Sequence, residues 1–127
     1  MITKHIRHGI GSVRPYLYGR LDLPDLLKKA FGAEVLERVP VGGDKGFHIE
    51  TKIGDSIVVL EVGDPPHAGG TRASIYVYVE DVDAAYKRAL EAGATSVGAP
   101  SDKPYQERSA GIKDSYGNTW YIATYRE

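Results

Sequence analysis

The chain has 127 residues, 42% apolar and 26% charged, with a formal net charge of −1 at pH 7. That length and balance fit one compact domain, or two small halves sharing a core, and the lack of a basic excess argues against a nucleic-acid partner. No apolar run approaches the roughly 20 residues that span a bilayer, and a cysteine count of 0 rules out a disulfide framework, a thiolate nucleophile and Cys-ligated zinc.

The N-terminal stretch MITKHIRHGIG is basic but has no apolar h-region, so no signal peptide or membrane partner is expected and the reading is cytoplasmic. His5 and His8 read as part of a solvated, mobile arm. VRPYLYG then reads as a first strand within Ser12 to Gly19. In LPDLLKKAFG, Leu23, Leu26, Leu27, Ala30 and Phe31 recur at the helical period, with Asp22 at the N-cap and Gly32 just past the end. FHIETKI and SIVVLEV flank Gly54-Asp55, a two-residue hairpin turn that sets Ile53 opposite Ser56. The same register puts Glu50 opposite Val59 and His48 opposite Glu61. Opposed residues share a face with Cβ atoms roughly 4.5–5.5 Å apart, so His48 and Glu61 are expected to be neighbours. Glu61 interrupts the apolar run IVVLEV. It is the candidate catalytic base, oriented by His48; an ordinary cross-strand ion pair is the plainer alternative.

Gly63 to Thr71, GDPPHAGGT, has the Pro and Gly content of a linker, and its His67 carries no chemistry on this reading. The pattern then repeats. ASIYVYV reads as a strand. Val82, Ala85, Tyr86, Ala89 and Leu90 form a helical stripe bounded by Asp81 and Gly93. RSAGIK and TWYIATY flank a turn at Asp114 to Asn118, in which Asp114 caps backbone N–H groups. The helix-ending glycines Gly32 and Gly93 are 61 residues apart and the turn glycines Gly54 and Gly117 are 63 apart. Near-constant spacing across different elements indicates an internal duplication. One domain, 1–127, is expected, with modules 12–63 and 72–127 joined by linker 64–71.

Strand alternation assigns faces. Tyr16 and Tyr18 share one in the first strand; Ser74, Tyr76 and Tyr78 in the fifth; Thr119, Tyr121, Ala123 and Tyr125 in the last. If these faces meet, six of the 9 tyrosines line one cleft. Such a surface would stack on planar or apolar ligands and hydrogen-bond their edges, although tyrosine is also simply a good strand residue.

AFGAE, IGDSIVVL, YVEDVDAAYKRALEAGA and RSAGIKDSYGNTWYIATY resemble the vicinal oxygen chelate superfamily, the glyoxalase, bleomycin-resistance and extradiol-dioxygenase group, and its PhnB-like or glyoxalase-like branch. The resemblance covers the chain from about Val13 to Glu127. It implies an α+β fold of two tandem βαβββ modules forming a curved mixed sheet around a shared cleft. Metalloenzymes of the group take four ligands, typically His, Gln or Glu, one from each of four strands. Here Glu61 stands at one such place, while the first strand offers no such residue, the fifth offers Ser74 and Tyr76, and the last offers Tyr121. No metal or other cofactor is therefore expected, beyond a weak divalent ion at Glu61. The resemblance also places Arg108 beside the cleft mouth, where it could clamp a carboxylate or phosphate. The stretch from Pro100 to Gln106 is long enough to form a rim or lid.

The function expected is metal-independent binding of an aromatic or amphipathic small molecule, as in bleomycin-resistance-type proteins, with Tyr16, Tyr18, Tyr76, Tyr78, Tyr121, Tyr125 and Arg108 as ligand contacts. The alternatives are a glyoxalase-like isomerase or lyase using Glu61, and a dimeric module without a ligand. A homodimer, often with exchanged halves in this superfamily, is expected in each case.

Overall fold

A computed structural model describes residues 4–42 and 45–127; the first three residues of the N-terminal arm lie outside it. The first module comprises β1 (Tyr16–Gly19), α1 (Leu23–Phe31), β2 (Glu34–Val41), β3 (Gly46–Ile53) and β4 (Ser56–Gly63). The second comprises β5 (Ser74–Tyr78), α2 (Val82–Glu91), β6 (Thr95–Lys103), β7 (Glu107–Lys113) and β8 (Thr119–Tyr125). Each module is a four-stranded mixed sheet, ordered β1-β4-β3-β2 and β5-β8-β7-β6, with the outer pairs β1·β4 and β5·β8 parallel. This is the expected α+β duplication. No helix among the described residues is long and apolar enough to cross a membrane.

Local chemistry accounts for the element ends. Gly32 ends α1 in the left-handed region at φ 69°, returning its N–H to the carbonyls of Leu27 and Lys28. Asp81 caps α2 as expected, accepting from the Ala84 amide at 3.1 Å. Asp22 makes no such cap. Pro24 occupies the second helical position and lacks the N–H a cap would serve, and Asp22 instead accepts the Ser115 hydroxyl at 2.7 Å. The β3–β4 hairpin has the expected register, Ile53 opposite Ser56 and His48 opposite Glu61. The stretch from Pro100 is not a separate lid. It continues edge strand β6, where register shifts between Ser96 and Gly98 and between Gly98 and Ser101 accommodate Pro100, and it turns into β7 at Pro104 to Gln106.

One core serves both modules. Leu17, Ile49, Val58, Leu60 and Val62 of the first sheet join α1, α2 and Val77, Ile112, Trp120 and Ile122 of the second in a single buried cluster. Phe31 of α1 packs on Trp120 of β8, ring centroids 5.7 Å apart, and Arg88 of α2 donates to the carbonyls of Lys29 and Ala30 at the end of α1. The core-facing residues Leu17 and Trp120 alternate with Tyr16, Tyr18 and Tyr121. Both tyrosine-bearing faces are thus turned away from the core the modules share.

The DSYGN turn closes this core. Asp114 Oδ1 accepts the backbone amides of Tyr116, Gly117 and Asn118, each at 3.0 Å, and Oδ2 accepts the Asn118 amide at 2.9 Å and the Trp120 indole at 3.0 Å. It is the turn-former anticipated from sequence.

Candidate functional site

The open face of the second sheet carries the densest group of aromatic and acidic side chains. Alternation along β5 brings Tyr76 and Tyr78 onto it, their rings 5.5 Å apart edge to face, and the β5–β8 ladder sets Tyr76 beside Tyr121, rings 6.2 Å apart. On β7 the same face carries Glu107, Ser109 and Gly111, with Gly111 opposite Tyr121. Tyr76 and Tyr78 each donate their hydroxyl to Glu107, one to each carboxylate oxygen. Those two bonds hold the Glu107 carboxyl below the usual carboxylate range, and the anion in turn raises both phenols. Beside this group is a hollow of about 440 Å³ whose lining includes Tyr76, Val97, Lys103, Tyr105, Gly111 and Tyr121. Gly111 is needed there, because a Cβ on it would come within 2.7 Å of the Val97 side chain and 3.6 Å of the Tyr121 ring.

The corresponding face of the first sheet is smaller and partly covered. Tyr16 donates to Glu61 at 2.6 Å, and that bond, with burial, pushes the phenol up to about 12. Tyr16 and Tyr18 pack 5.6 Å apart. His67 of the linker lies 5.0 Å from the Tyr18 ring and 3.9 Å from the Glu61 carboxylate, so the linker histidine is part of this group. His48 shares the face with Glu61 but turns to Glu50, at 2.7 Å. Buried Glu50 is also paired with Arg14 at 2.6 Å, and Arg14 donates to the carbonyls of Arg7, Ile10 and Gly11. The described part of the N-terminal arm is therefore tied to the sheet, where a solvated tail was expected.

The structure brings the tyrosines together in two groups, one per module, and every tyrosine–tyrosine ring pair among the described residues falls within a module. Tyr125 stands opposite Glu107 in the ladder and borders a separate groove of about 700 Å³ along the seam between the modules. Arg108 points to the helix side of β7. It pairs with Asp83 of α2 through two 2.9 Å bonds and with Asp102 at 3.4 Å, so its guanidinium is already engaged. Glu107, one residue earlier, was missed. Counting back from the DSYGN turn, Lys113 opposite Thr119 and Gly111 opposite Tyr121, would have placed Glu107 on the tyrosine face.

Of the four strand positions that the resemblance gives to metal ligands, only Glu61 carries an ionisable oxygen or nitrogen donor of the required type. Among the described residues no three His, Cys, Asp or Glu side chains converge. The donor set does not fit a four-ligand divalent site.

Residues 25–122 match the family model described as the Glyoxalase/Bleomycin resistance protein/Dioxygenase superfamily. The chain belongs to this superfamily. An uncharacterized protein of Mycobacterium bovis is 36% identical over 108 residues, 77% of this chain and 71% of the relative. A counterpart in Mycobacterium tuberculosis is equally identical over the same share of this chain, which spans 64% of that protein's length. Among solved structures of the fold, TioX from Micromonospora sp. ML1 is 27% identical with a TM-score of 0.66, over 90% of this chain and 95% of its own. Protein SA1046 of S. aureus is 26% identical with a TM-score of 0.62, over 91% and 97%. The fosfomycin resistance protein FosX of Listeria monocytogenes is 16% identical with a TM-score of 0.66 over 91% and 93%, a likeness of fold alone.

Proposed function

We propose that this superfamily member binds an aromatic or amphipathic small molecule without a catalytic metal, on the tyrosine-bearing face of its second module. The observation that carries this reading is Tyr121. It stands where the resemblance gives metalloenzymes a carboxylate, and it packs with Tyr76 beside a hollow of ligand size. Exposed phenol rings offer stacking surface and Ser109 and Tyr105 offer hydrogen bonds at the edge. Both tyrosine faces turn away from the shared core and are open to a second copy. A homodimer in which a second copy covers these faces would enclose the ligand.

A second reading rests on the Tyr16–Glu61–His67 group. Glu61 retains one oxygen free of Tyr16 and could serve as a base in an isomerase or lyase.

The test is a thermal-shift and tyrosine-fluorescence screen against acridine, naphthalene and indole derivatives, with metal analysis of untagged protein and a measurement of mass in solution. Saturable binding that Tyr121→Ala and Tyr76→Ala weaken, in a metal-free dimer, is expected. Stoichiometric nickel, zinc, manganese or iron, or no binding by any compound, would sink the proposal. Turnover lost in Glu61→Gln would favour the enzyme.

A further inference from the structure

Glu107 has no ion pair among the described residues, although Lys103 stands opposite it across the β6–β7 ladder. The relative exposure of Glu107 is 9%, and its hydrogen bonds come from two neutral phenols. Among the described residues no Lys, Arg or His comes within ion-pair distance of it, whereas Arg108 and Arg14 are each held by a carboxylate of their own. Buried charges are ordinarily paired, because an uncompensated one costs free energy. The tyrosine bonds keep Glu107 ionised. They do not neutralise it.

What lies next to this charge is a set of aromatic faces. Lys103 stands opposite Glu107 across the β6–β7 ladder, Ser109 follows it on the same face, and Tyr76 donates to it; all three line the 440 Å³ hollow with Tyr105 and Tyr121. The rings of Tyr76, Tyr78, Tyr105 and Tyr121 are all substantially exposed. A phenol that donates to a carboxylate becomes more electron-rich, which strengthens attraction of a cation to its ring face. Carboxylate and rings therefore favour the same sign of guest, and an anion would meet only Lys103.

Resting on the binding role proposed above, we propose that the second-module hollow selects ligands that carry a cationic group, a protonated or quaternary amine on an aromatic body, with the charge set against Glu107 and the surrounding tyrosine rings. Among the described residues lining the hollow, Lys103 is the one competing cation. The aromatic body stacks on Tyr121 beside Val97.

Three probes with one ring system and different charge isolate this claim: (2-naphthylmethyl)trimethylammonium, 2-naphthylmethanol and 2-naphthylmethanesulfonate, titrated by fluorescence and calorimetry at pH 7. The ammonium is expected to bind at least about tenfold more tightly than the alcohol, a difference within the range of cation–π and charge contributions. The sulfonate should bind most weakly. Glu107→Gln should abolish the preference, bringing the ratio of ammonium to alcohol affinity to about one whatever it does to the alcohol alone, and Lys103→Met should tighten the ammonium. Circular dichroism and melting show that each variant is folded. Equal affinity for ammonium and alcohol, or a preference that survives Glu107→Gln, overturns cation selection while leaving aromatic binding intact. Failure of all three probes, together with failure of the wider screen, overturns the binding role itself.

Discussion

The Asn118 side chain donates to the backbone carbonyl of Tyr18 at 2.8 Å, a bond between residues 100 apart that ties the last hairpin to the first strand. The same amide accepts the Ala73 N–H at 2.9 Å and donates to Asp114, and Asn118 is fully buried. One side chain thus joins both modules and the linker exit. Asn118→Ala leaves the Tyr18 carbonyl and the Ala73 amide without these partners. A loss of about 2–4 kcal/mol is expected from stranding buried polar groups. Urea denaturation followed by Trp120 fluorescence measures it, and a change below about 1 kcal/mol would contradict the bridging role.

Local rules were enough for the helices, the β3–β4 register and the Asp114 turn, because each depends on residues close in sequence. They placed Tyr76, Tyr78 and Tyr121 on one face for the same reason. Parity decided the failures. Glu107 and Arg108 are neighbours and only one can face the tyrosines; the resemblance put Arg108 there, and the β7–β8 register puts Glu107 there. The partner of His67 was out of reach because it depends on where the linker docks, whereas Glu50, two residues from His48 on the same strand face, was legible by alternation and was passed over. Long-range docking leaves no periodic trace.

Arg14 supplies the second prediction. Its guanidinium sits between buried Glu50 and three carbonyls of the arm. Arg14→Met keeps bulk but removes the cation, leaving Glu50 with His48 alone. Breaking a buried pair from one side costs about 3 kcal/mol. The arm should also detach, so amides of residues 7–11 should exchange faster with solvent. Unchanged exchange there would mean that other contacts hold the arm.

Tyr16 gives a pH signature. Its phenol is raised from the ordinary 10.0 to about 12 by the Glu61 carboxylate. A raised folded-state value means stability that is fully present below pH 10 and lost as pH rises towards 12. Glu61→Gln removes the anionic acceptor. The stability advantage of the wild type over Glu61→Gln should therefore shrink between pH 10 and about pH 12 in urea denaturation, a window set by those two values. An advantage constant across that window would show that Tyr16 does not titrate against Glu61.

Arg108→Ala tests the reassignment of this residue to the helix side. Its partners Asp83 and Asp102 are exposed, and exposed ion pairs contribute little once solvent and salt screen them. Melting should fall only slightly, and less in high salt. Affinity for any ligand of the tyrosine face should not change. A loss of ligand binding in Arg108→Ala would restore the guanidinium to the cleft mouth and contradict its pairing with Asp83.

Gly70 and Gly98 make a matched pair. A Cβ on Gly70 would lie 2.6 Å from the Tyr116 hydroxyl oxygen and 2.7 Å from the Tyr18 ring, where the linker passes between them. The Tyr116 hydroxyl also donates to the Gly70 carbonyl at 2.7 Å, so the ring cannot move off without losing that bond. Gly70→Ala should destabilise by about 1–3 kcal/mol through overpacking. At Gly98 the nearest atom to a new Cβ is a backbone nitrogen 4.0 Å away, and the backbone is not in the left-handed region. Gly98→Ala should therefore be close to neutral for stability. Equal effects at the two positions would show that the linker is not packed between Tyr18 and Tyr116.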